Sequence, residues 1–230
     1  VSLKSFFITA TDTGVGKTTV TAAIALLLKN RGIDVGVMKP FATGTQQKTG
    51  YKSEDVTILA NAAQSIDPEE MINPYFFPIP TSPYSAANKL NAKIDPSFVI
   101  HRFEKLQSMH QVMLVEGIGG IMTPILKDYC VGDLIKDMNL ETIIVTSSRL
   151  GTVNHTLMTV NAAQRFGLKV RGLIINNIDS SGYDIVELKS DLTNLSGIEV
   201  LCTIPHFDSV KISDVANSLK SSNLVSQLMS

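Results

Sequence analysis

Thr11-Asp12-Thr13-Gly14-Val15-Gly16-Lys17-Thr18 is the stretch on which the reading of this chain turns. Ahead of it, Phe6-Phe7-Ile8 is an apolar run that suits a buried strand, and behind it residues 20–28 are strongly helical. A glycine-bearing turn between a strand and a helix aims successive backbone N–H groups, here those of residues 14–18, at the positive end of the helix. That is a cradle for phosphate. In the usual Gly-x4-Gly-Lys-[Ser/Thr] pattern the lysine reaches the β- and γ-phosphates and the hydroxyl binds Mg²⁺. Gly16-Lys17-Thr18 satisfies the end of that pattern, but Thr11 occupies the first glycine position. A strict pattern search misses the motif; its strand-to-helix context restores it and predicts a site for ATP with Mg²⁺.

Working outward, short apolar runs at 5–9, 35–39, 112–116, 142–146, 172–176 and 200–204 alternate with helical patterns at 16–31, 53–63, 96–110, 153–166 and 184–195. A last helix is expected over 213–228. The runs are nearly continuous in apolar residues, as parallel strands covered on both faces must be. In the third helix Val99, Phe103 and Leu106 fall on one side, and Asp95-Pro96 supplies a cap and a first-turn proline. The alternation predicts an α/β fold: a doubly wound, mostly parallel sheet with helices on both faces, of the P-loop NTPase type. At 230 residues the expectation is a single domain over 1–230. The proline-rich stretch 73–83 is expected to be an ordered surface loop.

Composition narrows the function. Hydrophobic residues make up 44% and charged residues 18%, enough for a large core. A net charge of −1 gives no global attraction to nucleic acid or to an anionic membrane. Cys130 and Cys202 are far apart and form no metal-binding pattern, so both are expected to be reduced thiols. No secretory leader and no apolar run of membrane-spanning length is read, and a cytoplasmic location is expected.

Further polar residues fall where strands end, which in a doubly wound sheet is the rim of the active crevice. Lys39, at the end of the second run, is expected to face the phosphate loop close to Thr43. Glu116 ends the third core run and is followed by Gly117-Ile118-Gly119-Gly120. A carboxylate there is where a P-loop enzyme keeps its Mg²⁺-linked acid, and glycines let backbone approach a ligand. Asp55, opening a helix, is a candidate second carboxylate on the metal side. Gly151-Thr152-Val153-Asn154 opens another helix and presents N–H groups suited to an anion.

With these residues in hand the chain resembles dethiobiotin synthetases. The resemblance runs over nearly the whole chain through residues 11–18, Lys39-Pro40 with Ala42-Thr43-Gly44, Asp55, Asn73-Pro74-Tyr75, Pro80-Thr81-Ser82-Pro83, Val115-Glu116-Gly117 with Gly119-Gly120, Leu150-Gly151 with Asn154-His155, and Asn176. It implies ATP-dependent ring closure on 7,8-diaminopelargonate and CO₂ through an N-carbamate and its phosphoric anhydride, in a homodimer with the substrate near the interface. It further implies roles. Lys17, Lys39 and Thr11 would be catalytic. Thr13, Gly14, Val15, Gly16, Lys17, Thr18 and Thr19 would hold the phosphates, and Asn176 and Pro205 the adenine. Thr18, Asp55 and Glu116 would hold Mg²⁺. Thr43 would bind the carbamate with Thr11; Ser82 and Pro83 the diamine end; Gly151, Thr152 and Asn154 of the partner subunit the substrate carboxylate. Ala10, Thr43 and Ile118 depart from the family's usual glycine, serine and alanine.

Three rival readings carry less. A partitioning ATPase would place a second lysine at position 12, which is Asp12. A glutamine-dependent amidating enzyme would need a nucleophilic cysteine in a further domain. An inactive regulatory domain would have lost charged groups that are all present here.

Overall fold

The computed structural model describes residues 4–229. The first unit is β1 (Lys4–Ala10), the phosphate loop, α1 (Lys17–Lys29) and β2 (Val35–Met38). An excursion follows through β3 (Phe41–Thr43), α2 (Glu54–Ala63), α3 (Glu69–Ile72), β4 (Tyr75–Phe77) and α4 (Pro83–Leu90). Next come α5 (Pro96–Met109), β5 (Val112–Glu116), a small hairpin of β6 (Pro124–Leu126) and β7 (Tyr129–Cys130), and α6 (Val131–Met138). The sheet is completed by β8 (Glu141–Ser147), α7 (Thr152–Arg165), β9 (Val170–Asn176), α8 (Ile185–Ser196) and β10 (Val200–Ile204), followed by α9 (Ile212–Leu219) and α10 (Leu224–Met229).

The main sheet runs β10-β9-β8-β1-β5-β2, and each neighbouring pair is parallel. β1 sits in its middle, and the chain returns to opposite sides of β1 when it lays down β5 and then β8. The crevice at such a switch point opens at the carboxyl ends of the strands. That puts the turn after β1, the phosphate loop, at its centre.

Strand residues alternate between the two faces of the sheet, as the two-residue period requires. Phe6, Ile8, Val112, Leu114, Ile143 and Val145 join α1, α2 and α9 on one face. Phe7, Met113 and Val115 pack with α5 and α6 on the other. Both sets are buried, which is why the strands read as unbroken apolar runs. Phe7 has no exposed surface; truncating a phenylalanine so placed to alanine costs about 3–5 kcal/mol. The predicted cap on α5 is present: the Ser97 N–H donates to Asp95 Oδ1 at 2.9 Å, with Pro96 in the first turn.

Three expectations need correction. The helix expected over 213–228 is two helices, α9 and α10. Ser218, Ser221 and Ser222 turn their hydroxyls back to the carbonyls of Val215, Ser218 and Leu219, and the Ser222 hydroxyl accepts the Leu224 N–H. Such local bonds compete with the helical ladder and end it. The stretch 73–83 is not simply a surface loop. Tyr75–Phe77 pairs in parallel with Phe41–Thr43, Phe77 and Asn73 are buried, and Pro83 starts α4. Elements α3, α4, α6 and β6–β7 were not anticipated, because each is too short to show a period. Among the described residues no helix is long and apolar enough to cross a membrane.

Candidate active site

The phosphate loop is held in shape by glycine and by the neighbouring strand. Gly14 and Gly16 have φ of 77° and 90°, a left-handed backbone that favours glycine. A Cβ on Gly16 would strike the Asn176 amide, whose nitrogen donates to the Val15 carbonyl at 3.0 Å. Asn176, at the end of β9, thus braces the loop from beneath. The Thr11 N–H donates to the Val145 carbonyl, fixing the loop's entry to β8.

Over this loop opens a cleft of about 730 Å³. Of the residues singled out from the sequence, Thr13, Gly14, Gly16, Lys17, Thr18, Thr19, Lys39, Thr43, Asp55, Ser82 and Glu116 line it together. They come from the phosphate loop, α1, the residue after β2, β3, α2, β5 and the entry to α4, and only the crossovers of the sheet bring them to one place.

At the floor lies a charge cluster. Lys39, just past β2, is 3% exposed, and Glu116, the last residue of β5, has no exposed surface. Their Nζ and Oε1 are 2.5 Å apart, and Asp55 Oδ2 lies 2.9 Å from the same Nζ. Burial by itself would push the Lys39 ammonium down; Glu116 and then Asp55 outweigh it, and its pKa stands above the ordinary lysine value. Asp55 faces the same contest: partial burial raises it, but Lys39 prevails and holds it below the ordinary carboxylate value. Lys17 is pushed down, by burial first, and Lys39 nearby adds to that while Glu116 opposes it.

The Thr18 hydroxyl donates to Glu116 Oε1 at 2.8 Å, which leaves the lone pairs of Thr18 Oγ1 open. Glu116 Oε2 is buried with no hydrogen-bond partner among the described residues. An orphaned carboxylate oxygen, a half-exposed Asp55 and a hydroxyl with lone pairs to give are oxygen donors suited to a hard cation. The described residues hold no group of three or more His, Cys, Asp or Glu, as an all-protein cage would need. Mg²⁺ does not need one, since it is commonly held by one or two carboxylates together with the nucleotide's phosphates.

Other singled-out residues lie outside the cleft lining. The Thr11 hydroxyl points inward and donates to Thr146 Oγ1 at 3.4 Å. Thr152, buried at the start of α7, meets Thr146 Oγ1 at 2.6 Å, and Thr156 meets it at 2.8 Å. Gly151 caps α7 with φ 92°, and Asn154 is exposed and leans on Met158. Val15 is buried in the loop, Pro83 is buried in the first turn of α4, and Pro205 is exposed beyond β10. Asn176 Nδ2, expected to read adenine, gives one of its two N–H groups to the Val15 carbonyl.

Sequence reasoning passed over Thr123 and Pro124, which complete the cleft wall with Ile118 and Gly119. Thr123 Oγ1 accepts the Gly120 N–H at 3.0 Å and so folds the loop after β5. The glycine run 117–120 was the signal that whatever follows would sit against a ligand. Cys202 is buried and its thiol is pushed up to about 12, while Cys130 is also raised, by burial first. Neither is poised as a nucleophile.

Comparison with known proteins fits this geometry. A family model described as an AAA domain matches residues 4–212. The ATP-dependent dethiobiotin synthetase BioD of Nitrosopumilus maritimus is 53% identical over 216 residues, 94% of this chain and 92% of that protein. The chain belongs to the dethiobiotin synthetase family. The Bacillus licheniformis member is 38% identical over 88% of this chain and 83% of its own length. Among solved structures, a ParA family ATPase from Chlorobium tepidum aligns with a TM-score of 0.56 at 17% identity, over 99% of this chain and 97% of that one. The MinC:MinD cell division complex of Aquifex aeolicus gives 0.57 at 14%, over 94% and 87%. At such identities the likeness is one of fold alone. This chain thus shares its fold with those two ATPases, and fold alone does not assign a function.

Proposed function

We propose that the cleft closes the ureido ring of dethiobiotin at the expense of ATP, with 7,8-diaminopelargonate and CO₂ as co-substrates. Family membership carries the ATP-dependent synthetase activity. The observation that carries the assignment of chemistry to this cleft is the meeting of two lysines, Lys17 and Lys39, with Glu116 and Asp55 beside a phosphate loop. A nucleotide site needs one lysine; a second, buried and kept charged, suits an anionic acceptor.

The steps follow from charge. One amine of the diamine attacks CO₂, loses a proton and becomes a carbamate anion. A carbamate oxygen takes the γ-phosphoryl group of ATP, releasing ADP and leaving a carbamic-phosphoric anhydride. The second amine attacks the carbonyl carbon, the C–O bond to phosphate breaks, and the ring closes. In each anionic state Lys39 and Lys17 would stabilise the developing charge; a single preorganised donor of this kind is worth about 3–4 kcal/mol. Their positive charge also lowers the proton affinity of nearby amines, favouring the neutral nucleophile. Thr18, Asp55 and Glu116 would hold Mg²⁺, which would supply positive charge against the triphosphate. Thr43 and Ser82 on the cleft wall would meet the carbamate and the diamine. Thr11 gives its proton to Thr146, which leaves its oxygen as an acceptor for a substrate N–H.

Gly151, Thr152 and Asn154 do not line the cleft of their own chain. That supports their acting on the substrate carboxylate bound to a second copy, in a homodimer. Leu150, 86% exposed, and Met158, 63% exposed, offer apolar surface for such a contact.

The test is phosphate release from Mg-ATP in the presence of bicarbonate. We expect it to require 7,8-diaminopelargonate and to yield dethiobiotin in equal amount. Release that ignores the diamine overturns the proposal.

A further inference from the structure

The segment that carries Lys39 and Thr43 leaves the main sheet at Met38 and runs on with no main-sheet neighbour. What holds it is the stretch Asn73-Pro74-Tyr75, a motif to which the mechanism above gives no task. The Lys39 N–H donates to the Ile72 carbonyl at 2.8 Å, and the Tyr75 N–H to the Pro40 carbonyl at 3.2 Å. Beyond that, β3 and β4 pair with Phe41 opposite Tyr75 and Thr43 opposite Phe77. The Tyr75 ring stacks on Phe41 with centroids 5.4 Å apart, and its hydroxyl accepts the Asp95 N–H.

One carbonyl in this lacing cannot be served by backbone. Pro74 has no N–H, and the Asn73 N–H is committed to the Glu69 carbonyl at 2.7 Å. The Lys39 carbonyl instead accepts from the Asn73 side chain, Nδ2 to O at 2.6 Å, and the same nitrogen donates to the Tyr75 carbonyl at 3.1 Å. Asn73 is 6% exposed, so this bond is sheltered from water. Both peptide groups of Lys39 are thus gripped by residues 72 and 73. The amide geometry matters, since two donors on one nitrogen satisfy two carbonyls that approach from different sides.

We infer that Asn73 is a positioning residue for Lys39: its side-chain amide fixes the Lys39 backbone so that the ammonium stands between Glu116 and Asp55. It does not line the cleft and would act through Lys39. The inference rests on the reading of Lys39 as catalytic. A displacement on the order of 1 Å at a reacting group costs about 10²-fold in rate, and loss of this anchor releases one end of the Lys39 peptide.

The experiment uses Asn73→Ser, whose short hydroxyl cannot reach both carbonyls, and Asn73→Ala, each alone and combined with Lys39→Ala, in the full chain. Dethiobiotin formation is followed in single turnover with enzyme in excess, beside ATP affinity and thermal unfolding. We expect Asn73→Ser to lower the rate by about 10-fold to 10²-fold, with ATP affinity within about twofold because the phosphate loop is anchored elsewhere. Once the Lys39 amine is absent, the same change has nothing left to misplace. In the Lys39→Ala background it should alter the residual rate by less than about twofold while still lowering the unfolding temperature, because residues acting as a unit are not additive. A purely structural role would lower the rate by the same factor in both backgrounds, and that result overturns the inference. An Asn73→Ser enzyme as fast as the parent overturns it too. If Lys39→Ala is itself silent, the reading of the active site fails; if Lys39→Ala is slow and Asn73→Ser is not, only the positioning role fails.

Discussion

On one side of the sheet's carboxyl edge, where β1, β5 and β2 end, Lys17, Lys39, Asp55 and Glu116 gather their charges in the cleft. On the other side, where β8 ends, Thr11, Thr146, Thr152 and Thr156 join neutral hydroxyls beneath the start of α7. Both clusters are largely buried, and both are built from residues far apart in the chain. They differ in what burial costs. An unpaired hydroxyl out of water costs about 1–3 kcal/mol, whereas an uncompensated buried charge costs about 3–5 kcal/mol. The charged cluster is not fully paired: burial holds the Lys17 ammonium below its ordinary pKa, and among the described residues Glu116 Oε2 has no hydrogen-bond partner. The hydroxyl cluster is satisfied as it stands. The first is arranged to receive anions and a cation; the second ties the phosphate loop to α7 and leaves the Thr11 oxygen as an acceptor.

The sharpest way to break this contrast is Lys39→Ala. It should lower turnover by about 10²-fold to 10³-fold, the range for losing one preorganised charge-stabilising donor. It should also destabilise the ligand-free protein by about 3 kcal/mol, because Glu116 is left buried and unbalanced. Steady-state kinetics and urea unfolding read the two effects. Glu116→Gln comes next. It keeps shape but removes the charge that balances Lys39, and turnover should fall by about 10²-fold with a higher Mg²⁺ requirement. An unchanged Mg²⁺ titration would remove Glu116 from the metal site.

Thr146→Val tests the neutral side. Thr146 is the hub of three hydroxyl contacts, so its removal should cost about 1–2 kcal/mol of stability. ATP affinity, measured by calorimetry, should stay within about twofold, because the charge cluster is untouched. A large loss of ATP affinity would show that the two clusters are one unit.

The smallest effect is in pH. Asp55 is held below its ordinary value of 3.8, so its contribution is complete above that value and is lost as pH falls through the depressed one. Lys39 is held above 10.5, so its contribution is complete below that value and is lost only as pH rises past the raised one. Stability from this pair should be flat between roughly pH 4 and pH 10. With Asp55 nearly half exposed, its acid limb is worth under about 1 kcal/mol. Urea unfolding of Asp55→Asn against the parent at stepped pH would show it, and an inflection near neutrality would refute it.

Much of the fold was legible along the chain. The strand at 5–9, the helix after Gly16 and the strands ending at Glu116 and Asn176 announce themselves through long apolar runs, caps and glycines. In the excursion from β3 to α4 only the helix at 53–63 did; β3, α3, β4 and α4 did not. Its strands have three residues each, and Asn73 looks like any turn asparagine until its amide is seen on the Lys39 carbonyl. Thr123 is equally silent, because it acts by folding a loop over the cleft.

By itself the sequence determined the doubly wound sheet, the phosphate loop and the identity of the charged groups at strand ends, because periodicity and local turn chemistry are encoded within a few neighbouring residues. Only the tertiary structure decided which of those groups meet. Lys39 and Glu116 are 77 positions apart, yet one hydrogen bond joins them; Thr11 and Thr146 are 135 apart and share another. Contacts of that span follow from crossover topology and packing, which no local pattern records.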